Sequence, residues 1–186
     1  MPWADLAGLR GHGTHEVEGG LDPDYGQGVA SAEWHQGAAG VAIDLDQETG
    51  VVSVRKLHTS TYAGRVVDRP GAELQTEGSM IFGLGSALLE ELDIEDGQIR
   101  NGNMSDYSIA SAADLPPISY DLLEDCDSPP HGLGETAVPP VPAAVGNALR
   151  TLGVALPRMP ITPEAVLQGL AASSANETAG EEASWS

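Results

Sequence analysis

The residues best suited to chemistry lie in the stretch "PPHGLGETAVPPVPAAVGNAL", residues 129–149. This stretch places one carboxylate, Glu135, after a Gly-Leu-Gly run and before an apolar pattern at helical spacing. Glycines let a backbone pass close to a bound group, and a carboxylate held there can accept a proton. The amides at the start of the following helix would hold such a carboxylate ionised. A plain helix cap is the competing interpretation, and the residues alone favour it.

A second segment, "AELQTEGS" at residues 72–79, becomes a candidate only through the family resemblance described below. The side-chain amide of Gln75 can donate and accept hydrogen bonds in one contact, and Gly78 and Ser79 are small enough for close approach. An exposed helical glutamine without a ligand is the alternative.

A third pattern is "GHGTHEVE" near the N-terminus, where His12 and His15 precede two glutamates. A glycine-rich segment rarely presets coordination geometry, so we predict no metal site there. Similarly, "DLDQET" is better interpreted as a hairpin turn than as a calcium loop.

Composition excludes several classes of function. The chain has 186 residues, enough for one globular unit, and carries 28 acidic against 8 basic residues, with Lys56 the only lysine. A net charge of −20 argues against binding to nucleic acid or to anionic membranes. Cys126 is the sole cysteine, so this chain cannot hold an iron-sulfur cluster by itself. No signal peptide or membrane span is evident, which makes a cytoplasmic location the expectation.

The elements that must position these residues follow from the local patterns. We predict an α+β fold in which a β-hairpin and short strands pack with about three helices. The expected order is a loop-rich arm at 1–37, a hairpin at 41–62, a helix at 71–92, an Asp-Gly turn, a strand at 117–125 and helices at 141–153 and 162–172. Residues 38–171 would form one domain, followed by a disordered acidic tail at 172–186.

The glycines inside the first predicted helix need a physical reason, because glycine lowers helix propensity. They are Gly78, Gly83 and Gly85. We expect another backbone or a ligand to approach that face of the helix closely.

Four segments taken in order resemble one known family. They are "YAGRVVDRPGAELQTEGSMIFGLGSALLEEL", "NGNMSDYSIASAADLPPI", "PPHGLGETAVPPVPAAVGNAL" and "LPRMPITPEAVLQGL". Together, over about 41–170, they resemble the C-terminal end of the molybdopterin-binding large subunit of the xanthine dehydrogenase and aldehyde oxidase family, including its isoquinoline 1-oxidoreductase-like members. This sequence departs from the family pattern at "YAG", residues 62–64, and at Asp68-Arg69, which limits what the resemblance implies about substrate.

The resemblance implies hydroxylation of an N-heterocycle or an aldehyde with oxygen taken from water. It implies that Glu135 is the catalytic base and that Gln75, Gly78, Ser79 and Gly134 contact the molybdenum-pyranopterin cofactor. Most cofactor contacts would lie on an N-terminal molybdopterin-binding chain, and iron-sulfur and flavin groups only on partner chains. A non-catalytic assembly fragment and a truncated gene product are the alternatives.

Overall fold

A computed structural model describes residue 24, residues 35–154 and residues 158–183, with side chains through residue 173. These residues, residue 24 apart, belong to one compact unit, His35–Ser186. His12, His15 and nearly all of the predicted arm lie outside the described residues. Over the described residues the architecture is mixed α and β, as predicted, with three helices and two small sheets.

The main sheet contains three strands in the order β1-β2-β5. Strands β1 (Gly37–Leu45) and β2 (Val52–Gly64) pair antiparallel as the predicted hairpin. Its turn closes where the amide of Gly50 donates to the carbonyl of Asp46 at 2.8 Å, with Gly50 at φ 75°. Such a φ is easily reached only by glycine, which explains this residue at the end of the turn.

Helix α1 (Arg69–Leu88) follows β2 and leads towards β5 (Ile118–Glu124), which runs parallel to β2. The predicted close approach of another backbone is found at Gly83 in α1. A Cβ added there would lie 2.7 Å from the carbonyl oxygen of Val138. A Cβ added to Gly85 would lie 2.4 Å from Oε1 of Glu90. At Gly83 the close approach of another backbone therefore fixes where the segment before the next helix crosses α1.

A small hairpin lies between α1 and β5. Strands β3 (Ile94–Glu95) and β4 (Gln98–Ile99) pair around Asp96 and Gly97, which have φ values of 50° and 75°. Two consecutive residues at positive φ make the tight Asp-Gly turn that the sequence predicts.

Two helices complete the described chain. Helix α2 (Pro140–Thr151) is followed by Gly153 at φ 81°, the predicted stop, and helix α3 (Pro163–Ala183) begins after Thr162. The Thr162 hydroxyl oxygen accepts from the amide of Ala165 at 3.2 Å, as expected of an N-cap.

Helix α3 is longer than the sequence pattern predicts. The predicted helix ends at residue 172, whereas the structure continues it to Ala183. The added residues include alanines and glutamates, which favour helix, and contain no proline to stop it.

The core forms between the sheet and the helices. One cluster joins β2, α1 and the start of α2, and a second joins the later part of α2 to the region around α3. The first cluster consists of Leu57, Met80, Leu84, Ala137 and Val141, all nearly inaccessible to solvent. It holds the segment before α2 against α1. No helix in the described part of the chain is long and apolar enough to cross a membrane.

Candidate active site

The Glu135 loop, residues 132–136, lies between β5 and α2 and is attached to α1 by two side chains. Gln75 Nε2 donates to the carbonyl oxygen of Gly134 at 2.6 Å, and Ser79 Oγ donates to the same oxygen at 3.0 Å. Gln75 and Ser79 are four residues apart and so share one face of α1. A carbonyl oxygen has two lone pairs, and both are used here. Three predicted site residues therefore meet at one atom, adjacent to Glu135.

A second set of contacts holds the other side of the loop. Thr136 Oγ1 donates to the carbonyl oxygen of Gly132 at 3.0 Å, and His35 Nδ1 lies 3.0 Å from Thr136 Oγ1. Gly37 at the start of β1 passes so close that an added Cβ would lie 3.0 Å from the Thr136 carbonyl oxygen. Thr136 is buried, with 6% of its surface exposed. The loop backbone is thus fixed by α1 on one side and by β1 on the other.

The Glu135 side chain itself takes no part in these contacts. It is exposed and makes no hydrogen bond or ion pair within the described residues. The helix-cap interpretation is wrong, because the N-cap of α2 is Pro139 and no side chain caps it. The expectation that helix amides hold the carboxylate also fails, since Pro140 and Pro142 have no N–H to offer.

Glu135 opens onto a cavity of about 510 Å³. Its described lining is formed by His35, Gly37, Glu135, Thr136, Pro139 and Pro140. No lysine or arginine is among these residues, so the wall offers a carboxylate, an imidazole and a hydroxyl beside apolar proline rings. Such a wall can accept a proton and can accept hydrogen bonds from a neutral ligand.

The loop separates this cavity from a second one of about 340 Å³. The second cavity is bordered by Gln75 and Gly134 together with Arg65 and His131. Gln75 therefore donates one N–H to the loop and also lines this second cavity. Within the described residues, no group of three His, Cys, Asp or Glu side chains is placed to hold a metal ion.

Two glycines at the site have no structural explanation within the described residues. An added Cβ on Gly78 or Gly134 would meet nothing within 4 Å, and neither residue has a positive φ. Gly78 lies inside α1, where glycine costs about 1 kcal/mol relative to alanine. The surface beside these residues is open at the level of the backbone, which is what close approach of a bound group requires.

A contrasting carboxylate lies ten residues earlier, in the turn after β5. Asp125 Oδ2 accepts from Ser128 Oγ at 2.7 Å and from the Tyr62 hydroxyl at 3.1 Å, and Oδ1 accepts from the amide of Asp127 at 3.1 Å. The Ser128 hydroxyl is the largest of the causes that lower the pKa of Asp125 below its usual value. The hydrogen-bond acceptors of this carboxylate are committed to the turn.

Two residues of the site were missed from the sequence. His35 was assigned to the arm, and Thr136 was not singled out although it directly follows Gly-Leu-Gly-Glu. The signal available was that a threonine hydroxyl four residues after a glycine can return to that glycine's carbonyl. No sequence signal connects His35 to Thr136, because they are 101 residues apart.

Comparisons with known proteins identify the family of this chain. The described architecture matches quinoline 2-oxidoreductase from Pseudomonas putida 86 with a TM-score of 0.62 and 30% identity, over 69% of this chain and 18% of that chain. Residues 2–116 match the family model of the molybdopterin cofactor-binding domain. The chain belongs to this family.

The chain is also similar to curated proteins. The chain is 38% identical over 152 residues to the membrane-bound aldehyde dehydrogenase (pyrroloquinoline-quinone) of Gluconacetobacter polyoxogenes, covering 81% of this chain. It is 33% identical over 178 residues to the aldehyde oxidoreductase molybdenum-binding subunit PaoC of Escherichia coli (strain K12), covering 88% of this chain. The chain spans 19% and 24% of the lengths of these two relatives. The family match begins at residue 2, well before residue 41, where the resemblance was placed.

Proposed function

We propose that this chain forms part of the cofactor site of a molybdenum hydroxylase of the xanthine dehydrogenase and aldehyde oxidase type, and that Glu135 is its catalytic base. One observation carries the proposal: the Glu135 carboxylate has no partner within the described residues, while the loop that bears it is fixed on both sides. A base must be held in place and still be free to take a proton.

The described residues fit the molybdenum-pyranopterin group at the surface formed by α1 and the Glu135 loop. Gly78 and Gly134 leave room for it at the backbone, and Gln75 keeps its second N–H and its carbonyl oxygen for hydrogen bonds. Ser79 Oγ donates to the carbonyl oxygen of Gly134 and so also supports the loop. When bound, the cofactor supplies the oxidation of the carbon centre.

Glu135 would accept the proton that the water-derived oxygen loses as it attacks the substrate carbon. A positioned general base contributes about 10²- to 10⁴-fold to a rate. The cavity wall of acceptors and proline rings suits a flat, neutral substrate, so an N-heterocycle or an aldehyde remains the proposed class. Similarity to a quinoline 2-oxidoreductase and to an aldehyde oxidoreductase supports that choice.

Partner chains are part of the proposal. The relatives are about four times as long as this chain, so we assign most cofactor contacts to an N-terminal molybdopterin-binding chain. Electrons would leave through an iron-sulfur subunit, with any flavin also on a partner, because a single cysteine cannot ligate a cluster.

The test is cofactor retention in a complex reconstituted from this chain, the complementary molybdopterin-binding chain and the iron-sulfur subunit. Gly78→Ala should lower bound molybdenum, because the new methyl group occupies the open surface. Gly146→Ala is the matched control, since Gly146 is also a helix glycine with nothing within 4 Å of an added Cβ. Both changes should stabilise the free chain by about 0.5–1 kcal/mol. Equal molybdenum content in both variants would contradict the proposed contact.

A further inference from the structure

The hydrogen bonds around Thr136 have only one possible direction. Its hydroxyl carries a single hydrogen and lies 3.0 Å from the carbonyl oxygen of Gly132 and 3.0 Å from Nδ1 of His35. A carbonyl oxygen can only accept, so the hydroxyl hydrogen points to Gly132. Thr136 Oγ1 must then accept from His35, which requires a hydrogen on Nδ1.

We propose that His35 is a positioning residue of the Glu135 loop and is held with its proton on Nδ1. Its N–H fixes the Thr136 hydroxyl, and that hydroxyl holds Gly132 at the start of the loop. This inference rests on the proposed function of Glu135. In the neutral imidazole, Nε2 is left as a hydrogen-bond acceptor, and His35 lines the same cavity as Glu135.

The positions of the contacts show why this matters for Glu135. The carboxylate lies between Gly134, whose carbonyl oxygen accepts from α1, and Thr136, whose hydroxyl is 3.0 Å from Nδ1 of His35, two residues before β1. Removing the His35 donor leaves Thr136 bonded to Gly132, so the fold survives. Thr136 then keeps only its hydrogen bond within the loop, and the loop loses its side-chain hydrogen bond to the segment before β1. A misplacement of about 1 Å at a catalytic group is enough to reduce a rate about 10²-fold.

His58 in β2 provides an internal control, because its hydrogen bonds require the opposite tautomer. His58 Nδ1 lies 2.9 Å from Ser119 Oγ, and its Nε2 lies 3.2 Å from the carboxylate of Asp121. A carboxylate only accepts, so His58 carries a hydrogen on Nε2. In the neutral form its Nδ1 therefore accepts from Ser119. Two histidines, each beside a hydroxyl, are expected in different tautomers.

The first experiment measures these tautomers in the free chain by ¹⁵N NMR of imidazole-labelled histidine. The chain has five histidines, and the signals are assigned by their loss in His35→Asn and His58→Asn. At a pH where the rings are neutral, His35 should carry its proton on Nδ1 and His58 on Nε2. A proton on Nε2 of neutral His35 would overturn the proposal. This result does not depend on whether Glu135 is a base.

The second experiment compares variants in the reconstituted complex. His35→Phe removes the donor, and His35→Asn places an amide N–H near the position of Nδ1. We expect His35→Phe to lower kcat about tenfold, the effect of losing one hydrogen bond, with KM and molybdenum content near wild type. His35→Asn should recover most of the loss, and His58→Phe should leave kcat unchanged. Unchanged kcat in His35→Phe, or equal loss in His35→Asn, would overturn the proposal. Wild-type complex that retains molybdenum without turnover would instead contradict the proposed function.

Discussion

Two acidic positions in the segment between β5 and α2 are built in opposite ways. Asp125 accepts three hydrogen bonds through its carboxylate, and these bonds form the turn. Glu135 accepts none within the described residues, and its loop is held through the carbonyl oxygens of Gly134 and Gly132. Where the backbone and neighbouring side chains carry the structure, the carboxylate remains available for chemistry.

The difference follows from the residues around each acid. Asp125 has Ser128 three positions later, and a short acidic side chain readily accepts from the amide two positions on. Glu135 has glycines before it and a threonine after it, so its loop can be held from outside while its longer side chain extends away. The two roles are distinguished by the hydrogen-bond donors around each carboxylate and not by the presence of an acidic residue.

The largest expected effect concerns the backbone beneath the Asp125 turn. Gly64 has φ 58°, its carbonyl oxygen accepts from the amide of Asp125, and an added Cβ would lie 2.2 Å from the carbonyl oxygen of Pro129. Gly64→Ala should destabilise the chain by about 3 kcal/mol or more, since strain at positive φ and a backbone clash act together. Urea unfolding measures this, and Gly40→Ala, where an added Cβ meets nothing, is the control. A loss below about 1 kcal/mol would show that the turn yields easily.

The next effect tests the support of the Glu135 loop. The double variant Gln75→Leu, Ser79→Ala removes both donors from the Gly134 carbonyl. We expect a stability loss of only about 1–2 kcal/mol, because this exposed carbonyl can turn to water. In the reconstituted complex kcat should fall by up to about 10²-fold, which is more than this small loss of stability explains. If kcat falls no more than it does in an equally destabilised variant outside the loop, these side chains only stabilise the fold.

The smallest effect is the acid sensitivity of the Asp125 turn. The lowered pKa of Asp125, caused mainly by the Ser128 hydroxyl, means that its contribution to stability is present above the unfolded-state pKa. That contribution disappears as the pH falls through the lowered folded-state pKa. Asp125→Asn should therefore reduce stability at neutral pH and flatten its decline in acid. Thermal unfolding from pH 7 to pH 3 measures this, and parallel curves for both proteins would contradict it.

Local patterns predicted the parts of the fold that depend on neighbours in sequence. The hairpin turn ending at Gly50, the Asp96-Gly97 turn and the Thr162 cap each need only a few adjacent residues. The close approach at Gly83 was also predicted, although its partner, Val138, was not. The helix predicted to end at residue 172 continues to Ala183 in the structure, through an acidic, polar segment that has no helical pattern of apolar residues.

The candidate site was predicted in part for a related reason. The positions of Gln75, Ser79, Gly134 and Glu135 came from family resemblance, and the structure brings the first three together at one oxygen atom. The contacts through His35 cross 101 residues and depend on where β1 begins, which no local pattern encodes. Long-range pairing of this kind is decided by the packed core and not by spacing along the chain.

The central claim is that Glu135 is the base and Asp125 is structural, and one pair of variants in the reconstituted complex tests it most directly. Glu135→Gln should lower kcat by about 10²- to 10⁴-fold, with molybdenum content and thermal midpoint unchanged, because only the proton acceptor is lost. Asp125→Asn should keep kcat and lose stability instead. A Glu135→Gln complex that turns over at close to the wild-type rate would contradict the claim and leave the chain an assembly component without a catalytic group.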